Sequence, residues 1–243
     1  MKSVELILSF GHNHHKLKGL FVANQKKTLR MILPQWQGGV NPDYAFGAEM
    51  LAFIAPPSER DETVRISVNT DFASPLPREN GVDGEAALLA QLRECAAVLD
   101  REQPDRVIVF GGDCAISQAP FDYVSGKYGG KLGILWLDAH PDISTPVSST
   151  HLHEMVLGNI MGQGAPRFAG EMKHPVDPER VLYAGLIEEE LGPMAGPVAP
   201  LGLSIAGPAA PAQNSGPLLQ WTCLLAPSHA SDESSCLVLV CFP

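Results

Sequence analysis

The sequence predicts the α/β class, with a mainly parallel sheet and helices on both faces. Short apolar segments typical of buried strands alternate with segments that repeat apolar residues at helical spacing, which is the pattern of βαβ units. Two of the strand-like segments run directly into turns that carry Asp, His or Cys. Such turns lie where open α/β sheets bind their ligands. With 243 residues, the chain is long enough for one such domain with a sizeable core.

The elements follow from the apolar pattern and from Pro and Gly at their ends. We predict that all the strands lie in one sheet and that the third and fourth are neighbours. The predicted strands are 29–33, 64–68, 106–110, 133–137 and 181–184. The predicted helices are 43–55, 88–99, 116–127 and 153–161.

Composition excludes several classes of protein. The net charge of −10 and pI near 5.2 argue against nucleic-acid or anionic-membrane partners. The sequence has no apolar run as long as a membrane span, and we expect no signal peptide. Five cysteines without regular spacing predict neither a disulfide framework nor a zinc knuckle, so the expected location is the reducing cytoplasm.

The segment Leu135–Asp142 ends a predicted strand in three possible metal ligands, Asp138, His140 and Asp142. Residues at i, i+2 and i+4 of a strand point to one face, so these side chains can converge. Pro141 ends the strand. Two carboxylates and an imidazole suit Mn²⁺, Fe²⁺ or Zn²⁺. The alternative is an Asp turn with a surface histidine.

The predicted strand 106–110 runs into Gly111-Gly112-Asp113-Cys114. Paired glycines permit a sharp turn that would bring Asp113 and Cys114 to the same sheet edge. We expect Asp113 to hydrogen-bond the loop backbone rather than bind metal. Cys114 is either a ligand or an inert buried thiol. As a thiolate it would favour Zn²⁺ over Mn²⁺ or leave a single-metal site.

Together the Gly-Gly-Asp-Cys and Asp-Ala-His-Pro-Asp motifs resemble the ureohydrolase family, which contains arginases, agmatinases and formiminoglutamases. His151-Leu152-His153-Glu154 lies where that family has a substrate-side Asn-Leu-His-Gly stretch, and Pro34–Gly39 is also similar. The resemblance covers about residues 29–190. It implies a three-layer α/β sandwich with two Mn²⁺ ions at the carboxyl ends of the strands.

The resemblance also implies the metal ligands. By position, Asp138 would bridge the two Mn²⁺ ions, His140 would bind one of them, and Asp142 would bind the other beside Cys114. A metal-activated hydroxide would then attack the carbon of a guanidinium or amidine group.

Three further residues take roles from the resemblance. His153 would transfer protons, a task suited to an imidazole. Ser144 and His151 would contact a small guanidino or amidino substrate. Family members are usually trimers or hexamers, which implies a homo-oligomer. The structural alternative is that both histidines are surface residues at the start of a helix.

The chain departs from the family at three places. Cys114 replaces the family's His. The later Asp-x-Asp that supplies further metal ligands is missing, since only Asp177 and Asp232 follow Asp142 among aspartates. Arg180 is the last basic residue, and 192–243 is rich in Pro, Ala, Gly and Ser. We therefore predict that the family's C-terminal third is lacking and that an irregular tail, arising from a frameshift or gene-model error, replaces it.

The predicted domain is 29–191, preceded by an N-terminal extension, 1–28, whose His12, His14 and His15 we interpret as solvated. The departures leave open a second function, a non-catalytic ureohydrolase relative with weak metal binding, because fewer carboxylates would balance two cations. A third function, a deacetylase-like hydrolase with one zinc ion, fits the motifs less well.

Overall fold

A computed structural model describes residues 26–187 and the backbone of two later strands, 204–206 and 236–240. Most of the predicted N-terminal extension and most of the predicted tail therefore lie outside the described residues. The two later strands fall within the segment 192–243, for which the sequence predicts an irregular tail.

The described strands and helices alternate along the chain as the sequence predicts. The strands are β1 Thr28–Leu33, β2 Glu62–Arg65, β3 Arg78–Glu79, β4 Val82–Asp83, β5 Arg106–Gly111, β6 Gly133–Leu137, β7 Val181–Ala184, β8 Ser204–Ala206 and β9 Cys236–Val240. The helices are α1 Asp43–Ile54, α2 Glu85–Glu102, α3 Gln118–Lys127, α4 Val156–Ile160 and α5 Pro166–Ala169. Short 3-10 turns at Cys114–Ser117 and Leu152–Met155 lead into α3 and α4. Each predicted strand and helix exists, although β2 begins and ends earlier than predicted.

The strands form two parallel sheets, in the orders β2-β1-β5 and β8-β7-β6-β9, together with the antiparallel hairpin β3-β4. The prediction of a mainly parallel arrangement is confirmed, but the prediction of one sheet is wrong. The strand 106–110 does not pair with 133–137 because β9 lies along that side of β6, in register from Gly133↔Cys236 to Leu137↔Val240. A strand from the predicted tail therefore takes the hydrogen bonds that the sequence analysis assigned to β5.

Strand register places the loops that leave the sheets side by side. Leu33 at the end of β1 is the partner of Gly111 at the end of β5, and Leu137 at the end of β6 is the partner of Ala184 in β7. Because all these strands are parallel, the loops after β1 and β5 start together, as do those after β6 and β7. These are the loops that carry the predicted site.

Buried apolar side chains pack the sheets against the helices. Leu29, Met31 and Leu33 alternate along β1 and are buried on one face. Trp136 of β6 is fully buried, and its ring lies 6.1 Å from that of Phe121 on α3. The end of β6, where the predicted metal ligands begin, is therefore fixed against a packed core.

The hairpin β3-β4 was not predicted from the sequence. Its turn is Asn80-Gly81, with φ of 46° and 86°. Two positive φ values are typical of the tight turn that Asn-Gly favours between antiparallel strands. Arg78 and Asp83 face each other across it and form an ion pair at 2.7 Å. The Asn-Gly dipeptide is a recognisable hairpin signal, but it lies within a segment rich in Pro, Asn and Gly for which the sequence predicted only a loop.

The turn after β5 leaves no room for a side chain at Gly112. A Cβ atom there would overlap the main-chain oxygen of Gln35 in the loop after β1. The Gly112 amide donates to the Leu33 carbonyl at 3.1 Å, so the two loops touch through their backbones. Glycine at this position is a requirement of close approach between the two loops.

We expect Gly112→Ala to lower the free energy of unfolding by about 2 kcal/mol, because the overlap with Gln35 must be relieved by moving backbone. Gly47→Ala is the matched control, since Gly47 lies within α1 and a Cβ there meets nothing within 4 Å. That change should raise stability by roughly 0.5–1 kcal/mol through helix propensity. Urea denaturation of both variants measures these changes in the free energy of unfolding. Equal midpoints for Gly112→Ala and wild type would contradict the close contact.

Candidate metal centre

Cys114, Asp138 and Asp142 meet where β5 and β6 end. The possible ligand atoms of these three residues all lie within 4.8 Å of one another. The Cys114 thiol contacts Asp138 Oδ2 at 3.7 Å, and the two carboxylates are 6% and 3% exposed. Three of the four residues predicted as metal ligands are therefore adjacent in the structure.

Local hydrogen bonds orient Asp138. Its amide donates to the Ala184 carbonyl at 3.2 Å, which continues the pairing of β6 with β7 by one residue. Its Oδ1 accepts from the His140 amide at 2.9 Å. The Asp turn considered as an alternative to a metal site is thus present, and it leaves Oδ2 directed to Cys114.

Asp142 is fixed by its backbone. It has a φ of 49°, in the left-handed region that Asp tolerates better than most residues. Its carbonyl accepts from the amides of Leu157 and Gly158 at 2.9 and 3.1 Å. In addition, the Tyr183 hydroxyl donates to the carbonyl of the preceding residue, Pro141. The loop that carries Asp142 is therefore tied both to α4 and to β7.

His140 lies beside the cluster rather than in it. Its side chain is 57% exposed, and Nδ1 is 3.5 Å from Asp138 Oδ1. The rule that places i, i+2 and i+4 on one face holds only in an extended strand, and β6 ends at Leu137. The turn through Pro141 and the left-handed Asp142 rotates the chain between the predicted ligands.

Asp113 is a structural carboxylate, in agreement with the expectation that it binds loop backbone. It is fully buried, and it accepts from Gln35 Nε2 at 2.9 Å, the Ala115 amide at 3.0 Å and the Gly38 amide at 2.9 Å. Burial raises the pKa of Asp113, while the nearby His153 and these hydrogen bonds act in the opposite direction. A Cβ on Gly38 would lie 2.5 Å from Asp113 Oδ1, so this approach also requires glycine.

The same Gly38 positions His153. The Gly38 carbonyl lies 3.2 Å from the His153 amide, which donates to it, and 2.9 Å from ring atom Nδ1. A carbonyl only accepts, so Nδ1 carries a proton and the Nε2 lone pair of a neutral ring is left available. The His153 ring lies 6.1 Å from that of Tyr44 and 5.8 Å from that of His151.

The two residues predicted to bind substrate differ in exposure. The His151 side chain is 40% exposed, on the turn that also carries His153. Ser144 is 6% exposed, and its amide donates to the Glu154 carbonyl at 2.8 Å. The loop after Asp142 is therefore linked to the histidine turn through the backbone.

The pKa values of two tyrosines are raised by burial and by the negative charge of this region. Burial raises the pKa of Tyr44, and Cys114 and Asp113 raise it further. Burial also raises the pKa of Tyr183 well above its usual value, with Asp142 and Asp138 adding to the effect. Such concentrated negative charge favours a bound cation.

The donor set fits one divalent cation better than two. Three donor atoms are the usual number of protein ligands at one catalytic Zn²⁺ ion, and the thiolate suits Zn²⁺, whereas Mn²⁺ prefers oxygen ligands. Within the described residues, Asp177 is not part of this cluster; its carboxylate caps a turn and accepts from the Glu179 amide at 3.0 Å. Asp232 lies outside the described residues.

Comparisons with known proteins identify related sequences. The sequence profile of the arginase family matches residues 54–190, more than half of the chain. Arginase 2, chloroplastic/mitochondrial, of Arabidopsis thaliana is 46% identical over 158 residues, which cover 65% of this chain and 42% of that protein. Arginase of Entamoeba histolytica is 32% identical over 90 residues, 35% of this chain and 30% of that protein. The chain therefore spans less than half the length of these relatives.

Solved structures show the same fold. Entamoeba histolytica arginase in complex with L-ornithine has a TM-score of 0.68 at 18% identity, covering 82% of this chain and 71% of that chain. Native arginase from Bacillus caldovelox has a TM-score of 0.63 at 22% identity with the same coverage. The predicted α/β fold class is confirmed. Among the described residues, every helix is too short or too polar to cross a membrane.

We expect Asp142→Gly to be more stable than Asp142→Ala by about 1 kcal/mol. Both variants remove the carboxylate, but only glycine accepts the φ of 49° without strain. Thermal or urea unfolding of the two variants measures this difference. If alanine were as stable as glycine, the left-handed conformation of Asp142 would be contradicted.

Proposed function

This chain belongs to the arginase family, and from that premise we propose that it hydrolyses a C–N bond of a small guanidino or amidino compound with the help of a divalent cation. Cys114, Asp138 and Asp142 would hold the cation. Their convergence within 4.8 Å, where β5 and β6 end, carries the proposal. The fold and the family alone do not specify a reaction, because one fold can host many functions.

A divalent cation would supply Lewis acidity that makes water a competent nucleophile near neutral pH. The chain contributes a site built before the cation arrives. The His140 amide holds Asp138 Oδ1, and the Leu157 and Gly158 amides hold the backbone of Asp142. Ligands whose positions are fixed in advance bind with less loss of conformational freedom.

His153 would move protons. When the C–N bond breaks, the leaving nitrogen needs a proton, and a positioned imidazole can deliver it. Gly38 holds Nδ1 at 2.9 Å, which leaves Nε2 as the atom that exchanges protons. On the same side of the site, His151 and the loop at Ser144 would contact the rest of the substrate.

The number of ions distinguishes this chain from the family pattern. The resemblance implies two Mn²⁺ ions bridged by aspartates, but the described donors include only two carboxylates and one thiol. Three donor atoms are the usual protein ligand set of one catalytic cation and are few for two. We therefore propose a single ion and, because of Cys114, a preference for Zn²⁺.

A second candidate function is a non-catalytic relative that binds metal weakly. It is favoured by the absence of an Asp-x-Asp after Asp142 and by the role of Asp177 as a turn cap. Urea release from arginine and agmatine, with Zn²⁺ or Mn²⁺ added, separates the two. Turnover on the order of 10 s⁻¹, typical of enzymes, supports hydrolysis, whereas metal binding without urea release supports the second candidate.

We expect Zn²⁺ to slow alkylation of Cys114 by iodoacetamide by about tenfold or more, because a metal-bound thiolate is a poor nucleophile. Peptide mass spectrometry follows each cysteine separately. Cys95 is the internal control: burial raises its pKa to about 12, so it should stay unmodified with or without Zn²⁺. Asp142→Asn should weaken the protection of Cys114. An unchanged rate for Cys114 with Zn²⁺ would exclude it as a ligand.

A further inference from the structure

A second group of ligand-type side chains lies on the turn that leads into α4. His151, His153 and Glu154 each offer one donor atom, and these atoms lie within 4.8 Å of one another. His151 Nδ1 is 3.6 Å from Glu154 Oε1, and the two imidazole rings are stacked with centroids 5.8 Å apart. All three residues are partly exposed, so an ion from solvent can reach them.

Groups outside the cluster orient both imidazoles. The Gly38 carbonyl lies 2.9 Å from Nδ1 of His153 and leaves Nε2 as the donor. Nε2 of His151 faces Asp83 Oδ2 at 4.0 Å, so its Nδ1 is the atom turned to Glu154. Asp83 is itself held by Arg78 and Thr150, each at 2.7 Å. A carbonyl behind an imidazole, as Gly38 provides for His153, is a usual support of metal-binding histidines, and Asp83 lies near the corresponding nitrogen of His151.

The distance between His151 and Glu154 suits a small tetrahedral ion. Two ligands at about 2.0–2.1 Å from a tetrahedral Zn²⁺ lie about 3.4 Å apart. The separation of 3.6 Å between His151 Nδ1 and Glu154 Oε1 is close to that value. Two histidines and one glutamate, with water in the fourth position, are a common zinc ligand set.

We propose that His151, His153 and Glu154 form a second cation site that binds Zn²⁺ independently of the centre at Cys114. The donor sets share no residue, so either site can be removed without deleting a ligand of the other. Imidazole nitrogen is the dominant donor here, which favours Zn²⁺ over Mn²⁺.

Occupancy of this site has a consequence that rests on the proposed function. A Zn²⁺ ion on His153 would use the Nε2 lone pair that proton transfer requires. The second ion would therefore stop hydrolysis without displacing the first. Its binding does not depend on whether the chain is an enzyme.

The test measures Zn²⁺ binding by competition with a chromophoric chelator, starting from Asp138→Asn protein, in which the first centre is disabled. Adding His151→Asn or Glu154→Gln should weaken the remaining Zn²⁺ site by at least about tenfold. His174→Asn is the matched control: His174 is another exposed histidine beside a carboxylate, with Nδ1 3.7 Å from Asp122 Oδ1, but it belongs to neither described cluster. That change should leave affinity unaltered.

Each outcome is informative about the second site alone. A loss of affinity in both His151→Asn and Glu154→Gln, with His174→Asn unchanged, supports it. Equal affinity in the Asp138→Asn parent and in these two variants overturns it. Circular dichroism confirms that the variants are folded. Failure of urea release would count against the proposed hydrolysis but would not change this result.

Discussion

The buried carboxylate of Asp113 is the interaction on which the site depends. Burying it raises its pKa, and three hydrogen bonds offset that cost. Two come from Gln35 and Gly38 in the loop after β1, and one comes from Ala115 in the turn after β5. Cys114 lies within that turn, and Gly38 also positions His153. One carboxylate therefore fixes the relation between the proposed metal ligand and the proposed proton carrier.

The sequence predicted those parts of the structure that follow from local pattern. Apolar periodicity located the main strands and helices, and strand ends predicted that Cys114, Asp138 and Asp142 would lie together. The position of His140 could not be predicted by the same rule, because β6 ends at Leu137, before His140. The division into two sheets could not be predicted from local pattern either. It depends on the pairing of β9 with β6, which lie more than ninety residues apart along the chain. Long-range pairing of this kind leaves little local signal.

The two proposed cation sites differ in the donor atoms that they offer. The centre at Cys114 combines carboxylates with a thiol; burial raises the pKa of Tyr44 and Tyr183, and the charges of this centre raise it further. The turn at His151 combines two imidazoles with the carboxylate of Glu154. We propose that this chain binds cations through a thiolate and carboxylates at one site and mainly through imidazoles at the other. The expected result is a change of metal preference from Mn²⁺ toward Zn²⁺.

The central claim is that Cys114 binds the cation together with Asp138 and Asp142. Zinc K-edge X-ray absorption on His151→Asn protein, loaded with one equivalent of Zn²⁺, tests it most directly, because sulfur and oxygen neighbours lie at different distances. If Cys114 is a ligand, the spectrum shows one sulfur at about 2.3 Å with oxygen ligands at about 2.0–2.2 Å, and Cys114→Ser loses the sulfur. A shell of oxygen and nitrogen alone, or a sulfur that persists in Cys114→Ser, would contradict it.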